Sequence, residues 1–232
     1  MSTAAEAHDA HDHGHGDDHG HGHHGPKWLA HHFDNGGQQF ESAKLGMWVF
    51  LVTEVLMFGG LFAAYIINKS LYNDLFVLGH EHLDKKLGAL NTVVLLFSSL
   101  TVALAVRSSQ VGERKKAGVY LLVTIACAAT FMVVKYFEYT HKIHDGLLPG
   151  RFFAAHDLPK ETHVYFALYF MMTGLHGIHV MIGIGLIFWV WLRNQRGEFS
   201  PEFYTPIDIV GLYWHLVDLI WIYLFPLLYL IG

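Results

Sequence analysis

Leu45-Gly46-Met47-Trp48-Val49-Phe50-Leu51-Val52-Thr53-Glu54-Val55-Leu56-Met57-Phe58-Gly59-Gly60-Leu61-Phe62-Ala63-Ala64-Tyr65-Ile66-Ile67 is a run of membrane-spanning length with an acid inside it. At ~1.5 Å per residue, Glu54 stands roughly 13 Å along a helix, well within a hydrocarbon layer about 30 Å thick. A carboxyl at that depth costs roughly 2.5–3.5 kcal/mol or more, so it needs a protein partner, a proton, or both. A soluble domain does not explain such a segment.

Outward from this run, four more segments have the same character, and the spans fall at about 44–67, 88–107, 116–139, 163–193 and 207–230. In hydrocarbon every backbone polar group must be met internally, so long apolar runs read as helices. The composition agrees: 53% hydrophobic, 15% aromatic and only 15% charged, with a positive mean hydropathy. The expectation is an all-α polytopic membrane protein. A His/Asp/Gly-rich disordered tail and interfacial lead-in (1–40) precede a bundle of five transmembrane helices (41–232). The net charge of −5 misleads, because Glu6, Asp9, Asp12, Asp17 and Asp18 sit in a stretch without Lys or Arg. A single cysteine, Cys127, excludes an internal disulfide. The acidic start is unlike the basic region of a secretory signal, so the first span is expected to direct insertion.

Five spans put the termini on opposite faces. The short connections Arg107 to Lys116 and Arg193 to Arg196 are densely basic and share a side with the N-terminus. The positive-inside rule then predicts a cytoplasmic N-terminus.

Polar residues recur inside the spans. Thr173-Gly174-Leu175-His176-Gly177-Ile178-His179-Val180 places two histidines at i, i+3, and Tyr213-Trp214-His215-Leu216-Val217-Asp218 repeats that spacing with His and Asp. Gly174, Gly177, Gly183 and Gly185 allow another helix to approach closely. His176, His179, His215 and Asp218 are expected to form an interhelical polar network, with Glu54 as the buried functional carboxyl. Lys135 and Glu138, again i, i+3, read as an interfacial pair, the lysine snorkelling outward. Three readings stay open for the set: a metal site, a proton or ion pathway, or hydrogen bonds that hold the bundle together. The first lacks the Glu-x-x-His and His-Glu-x-x-His ligand patterns. The tail invites its own readings. Ten histidines fall within the first 32 residues. With ordinary values near 6.5, His11, His13, His15, His19, His21, His23 and His24 suit a proton reservoir, weak metal binding, or a plain solvated linker.

These motifs resemble the cytochrome c oxidase subunit III family of heme–copper oxidases over about 41–230. The stretch from Leu45 to Val55 is similar to the family's Gly-Met, apolar, Ser/Thr-Glu-Val pattern. Leu90-Asn91-Thr92, Tyr136-Phe137-Glu138-Tyr139, Thr173 to Gly183 and Tyr213 to Trp221 follow in the family's order and spacing. The resemblance implies a non-catalytic subunit of a proton-pumping terminal oxidase that reduces dioxygen to water. Such a subunit binds catalytic subunit I directly, shares the complex with subunit II, and has no nucleic-acid partner. Heme and copper would lie in those partners, with none bound by this chain, while structural phospholipid would occupy a cleft. Glu54 matches the family's carbodiimide-reactive helix carboxyl, and Arg193 the basic residue positioned for a lipid head group. The family's fuller form has seven helices. This chain lacks counterparts of the first two and looks like the five-helix type of bacterial inner membranes, with a cytoplasmic N-terminus. A partner of a quinol oxidase or nitric oxide reductase is the alternative within the family. An independent proton channel or transporter, or a membrane metalloenzyme, is the alternative outside it.

Overall fold

The computed structural model describes residue 33 and residues 35–150, 153–154 and 158–230. Among the described residues six α-helices follow one another: α1 (Gly36–Leu71), α2 (Asn73–Glu81), α3 (Lys85–Gln110), α4 (Arg114–His144), α5 (His163–Arg196) and α6 (Thr205–Phe225). All but α2 are long and apolar enough to cross a membrane. No strand occurs among the described residues beyond an isolated bridge between Ser200 and Phe203.

The helix ends follow local chemistry. Asn35 caps α1 by accepting from the Gln38 amide at 2.8 Å, so the helix begins ahead of the apolar run. Asp84 caps α3 through the amides of Lys86 and Leu87. Gly197, at φ +77°, ends α5 in the left-handed conformation that a side chain disfavours. The connection after α1 carries α2, which the hydropathy pattern does not announce. Gly79 on α2 lies so close to the Tyr165 ring that a Cβ would sit 2.4 Å from it.

Helices α3, α4, α5 and α6 pack on one another as a bundle, while α1 touches α6, α5 and the short α2. The apolar window of α6 is accordingly 56% buried and that of α1 only 17%. The core is aromatic, with Trp214, Trp221, Tyr165, Tyr169, Tyr229 and Phe131 all essentially inaccessible. Gly183 of α5 receives Trp214 of α6, whose ring would stand 2.6 Å from any Cβ there. Gly177 and Gly185 have no such neighbour, and Gly174 has only the Tyr139 hydroxyl at 3.8 Å. The close approach expected of four glycines is therefore made by one of them. After Phe225 the chain widens into a π-helical turn, Pro226–Leu230, which swings Tyr229 back into the bundle.

Candidate functional site

Glu54 lies midway along α1, and its Oε2 is 2.9 Å from Nε2 of His179 on α5. The other imidazole nitrogen, Nδ1, is 2.8 Å from the Leu175 carbonyl oxygen. A carbonyl only accepts, so Nδ1 carries a hydrogen. The proton count of the pair follows. If the ring is neutral, Nε2 is bare and the carboxyl must donate to it. If the carboxyl is ionised, Nε2 must be protonated. Either way one proton is shared across the contact, and the pair has no net charge. The Phe58 ring meets His179 edge-on at 5.4 Å, and the Tyr213 hydroxyl donates to the His179 carbonyl at 3.1 Å. The pair forms part of the wall of an apolar cavity of about 610 Å³ between α1, α5 and α6, together with Met47, Phe50, Ile182 and Leu186.

The expected network does not assemble as one unit. Positions i and i+3 on a helix differ in direction by about 60°, which is enough to send the two α5 histidines to different neighbours. His179 faces α1. His176 lies between the rings of Phe131 and Trp221, with centroids 5.5 and 5.3 Å away, and neither ring nitrogen has a partner in the protein. On α6, His215 turns its Nδ1 to the Ser99 hydroxyl of α3 at 2.8 Å. Asp218 has that hydroxyl beside it, but neither carboxyl oxygen makes a hydrogen bond of sound geometry.

Lys135 and Glu138 are corrected from an interfacial pair to a buried one. Their Nζ and Oε2 atoms are 2.8 Å apart, and the residues are 7% and 4% exposed. Lys135 does not snorkel, because a better environment lies inward. It donates to the Tyr229 hydroxyl at 2.7 Å and stands 4.5 Å above the Trp221 ring. Glu138 also accepts from Tyr229 at 2.6 Å, Tyr169 at 2.9 Å and, more distantly, Lys142 at 3.4 Å. One carboxylate thus ties α4 to α5 and to the end of the chain. Lys142, Tyr169 and Tyr229 are absent from the candidates drawn from the sequence. Lys142 stands four residues after Glu138, a spacing that signals a shared helix face. Nothing local announces Tyr229, whose place depends on the π-helical turn.

Arg193 is held by the Glu198 carboxylate and flanked by the rings of Trp189 and Phe199 at 5.0 and 5.3 Å. The tail histidines His11, His13, His15, His19, His21, His23 and His24 lie outside the described residues. Among the described residues, no three His, Cys, Asp or Glu side chains converge to hold a metal ion.

Residues 35–232 match the family model for cytochrome c oxidase subunit III. A cytochrome c oxidase subunit 3 of Thermostichus vulcanus is 35% identical over 191 residues, covering 81% of this chain and 86% of the relative. The same shares are covered by a quinol oxidase subunit 3 of Bacillus spizizenii, 30% identical. A cytochrome c oxidase subunit 3 of Corynebacterium diphtheriae, 31% identical, covers 81% of this chain and 87% of itself. Five apolar helices, an acid paired within them, and this family match together make the chain an integral membrane protein that belongs to the cytochrome c oxidase subunit III family.

Proposed function

We propose that the chain serves as a non-catalytic subunit of a proton-pumping heme–copper terminal oxidase in a bacterial inner membrane. It stabilises catalytic subunit I, shares the complex with subunit II, retains structural phospholipid and supports proton uptake, while heme and copper reside in the partners. The observation that carries this reading is the Glu54–His179 pair in the wall of the 610 Å³ apolar cavity. A pair that shares a proton and has no net charge suits a wall against which acyl chains lie, since a free carboxylate there would be unsatisfied. The cavity runs along the N-terminal half of α1, from Gln39 to Glu54, which suits a chain-like occupant. Arg193, beside Trp189 at the rim, suits a phosphate that would compete with Glu198. The basic connections favour a cytoplasmic N-terminus and an opposite C-terminus.

Relatives bearing both the cytochrome c and the quinol oxidase names support a second reading, in which the electron donor is quinol. The two readings share every role assigned to this chain. Affinity purification through the chain, followed by identification of the co-purifying subunits, tests the assignment. A heme–copper subunit is expected, and a dinuclear copper domain would mark the cytochrome c type. An isolated chain that reduces dioxygen, or keeps stoichiometric heme or copper, would overturn the assignment. A purified complex that lacks the chain should still reduce dioxygen but lose phospholipid and decay faster during turnover. Equal lipid content and equal decay would remove the lipid and uptake roles.

A further inference from the structure

The buried polar atoms that make no hydrogen bond of sound geometry within the protein include those of three residues inside the bundle: both amide atoms of Asn91, both ring nitrogens of His176 and both carboxyl oxygens of Asp218. They are 0%, 0% and 3% exposed, so bulk solvent does not reach them. Buried polar groups are almost always paired, by protein or by ordered water. The packing sets the three at neighbouring heights. Trp221 donates to Thr92, next to Asn91, at 3.1 Å, and its ring lies against His176. Asp218 is one turn before Trp221 on the same helix. The hydrogen bond between Thr101 and Thr124 fixes the α3–α4 register, which brings Asn91 level with Val134 and Lys135.

We propose that Asn91, His176 and Asp218 bind a cluster of ordered water inside the bundle at the height of Trp221, connected through Ser99 and His215 to the groove between α1 and α6. The chemistry selects water. An amide both donates and accepts, and a neutral imidazole has one nitrogen of each kind. Asp218 adds two acceptor oxygens. A small neutral molecule that donates and accepts can satisfy all of them. A cation would share its level with the Lys135 ammonium, and an anion would face Asp218. An apolar molecule would leave every orphaned atom as it is. The route outward is also built. The Ser99 hydroxyl stands beside Asp218 and is bonded to His215 Nδ1 at 2.8 Å. His215 in turn lines a groove of about 390 Å³ with Trp48, Leu51, Val55, Leu216 and Leu219.

Radiolytic hydroxyl-radical footprinting of the purified oxidase complex tests this, because radicals born from bound water oxidise the buried side chains beside it. Corrected for intrinsic reactivity, Trp221 and His176 should be oxidised about an order of magnitude faster than Phe76, which is equally buried. The double variant Asn91→Leu/Asp218→Leu should bring them down to the protection of Phe76. Wild-type Trp221 and His176 as protected as Phe76 would overturn the proposal. So would labelling that the double variant leaves unchanged. If that variant does not assemble, the wild-type comparison decides alone.

Discussion

Replacing Glu138 with Ala should be the most damaging single change in the bundle. The carboxylate is 4% exposed and accepts from Lys135, Tyr169 and Tyr229 within 2.9 Å, with Lys142 at 3.4 Å. Its loss leaves two buried ammonium groups facing each other without a counter-charge. Removing one partner of a buried ion pair costs about 3–5 kcal/mol, mostly because the remaining charge is stranded. For a chain of this size each kcal/mol moves the midpoint by roughly 2–4 °C, so a fall of about 10 °C is expected. The assay is the temperature at which the subunit leaves the detergent-solubilised oxidase, followed by native gel and immunoblot. Tyr229→Phe removes one hydroxyl from the same carboxylate and should lower that temperature by less, since a hydrogen bond to a charged group contributes about 1.5–3 kcal/mol. The sharper test is the triple variant Lys135→Met/Glu138→Leu/Lys142→Met, which removes both ammonium groups along with the carboxylate. Apolar groups of similar volume often replace a buried ion pair or triad at little cost, so the triple variant should recover most of what Glu138→Ala loses. A Glu138→Ala complex as stable as the wild type, or a triple variant no better than the single one, would refute the reasoning.

Three further outcomes follow from the packing. Gly183→Val should destabilise the α5–α6 contact by roughly 1–3 kcal/mol through collision with Trp214, whereas Gly177→Ala, with open space around it, should leave the dissociation temperature unchanged. Glu54→Gln should assemble normally, because its amide can donate to His179 Nε2. Glu54→Leu strands that nitrogen at a cost of about 1–3 kcal/mol, and equal behaviour of the two would count against a shared proton. Truncation after Phe225 removes Tyr229 and also the Leu228 carbonyl, which receives the Tyr165 hydroxyl and faces His80 Nδ1. The truncated chain should dissociate from the complex at least as readily as Glu138→Ala, and retention at wild-type temperature would deny the turn its anchoring role.

The fold class was legible because hydrocarbon leaves few choices. Apolar runs of this length, broken by basic or Gly-containing connections, can only be helices, and α1, α3, α4, α5 and α6 lie where hydropathy puts them. Glu54 was legible for the same reason, since an acid at mid-depth is conspicuous in any window. Direction around a helix was not legible. Equal spacing in His176/His179 and His215/Asp218 gave no hint that each member would meet a different surface. Lys135 was misread because its rescue comes from Trp221 and Tyr229, 86 and 94 residues away in the chain. Helix α2 escaped notice because nine residues are too few to show a pattern, and its fit to Tyr165 is tertiary.

The separation of Glu54 from His179 by 125 positions has a consequence for biosynthesis. At about 5–20 residues per second, roughly 6–25 seconds pass between the emergence of the acid and that of its base. Throughout that interval the first helix must wait beside the growing polypeptide with its carboxyl unaccompanied. Handing it over to α5 is thus among the last events of insertion, and an unpaired Glu54 marks a chain that is not yet finished.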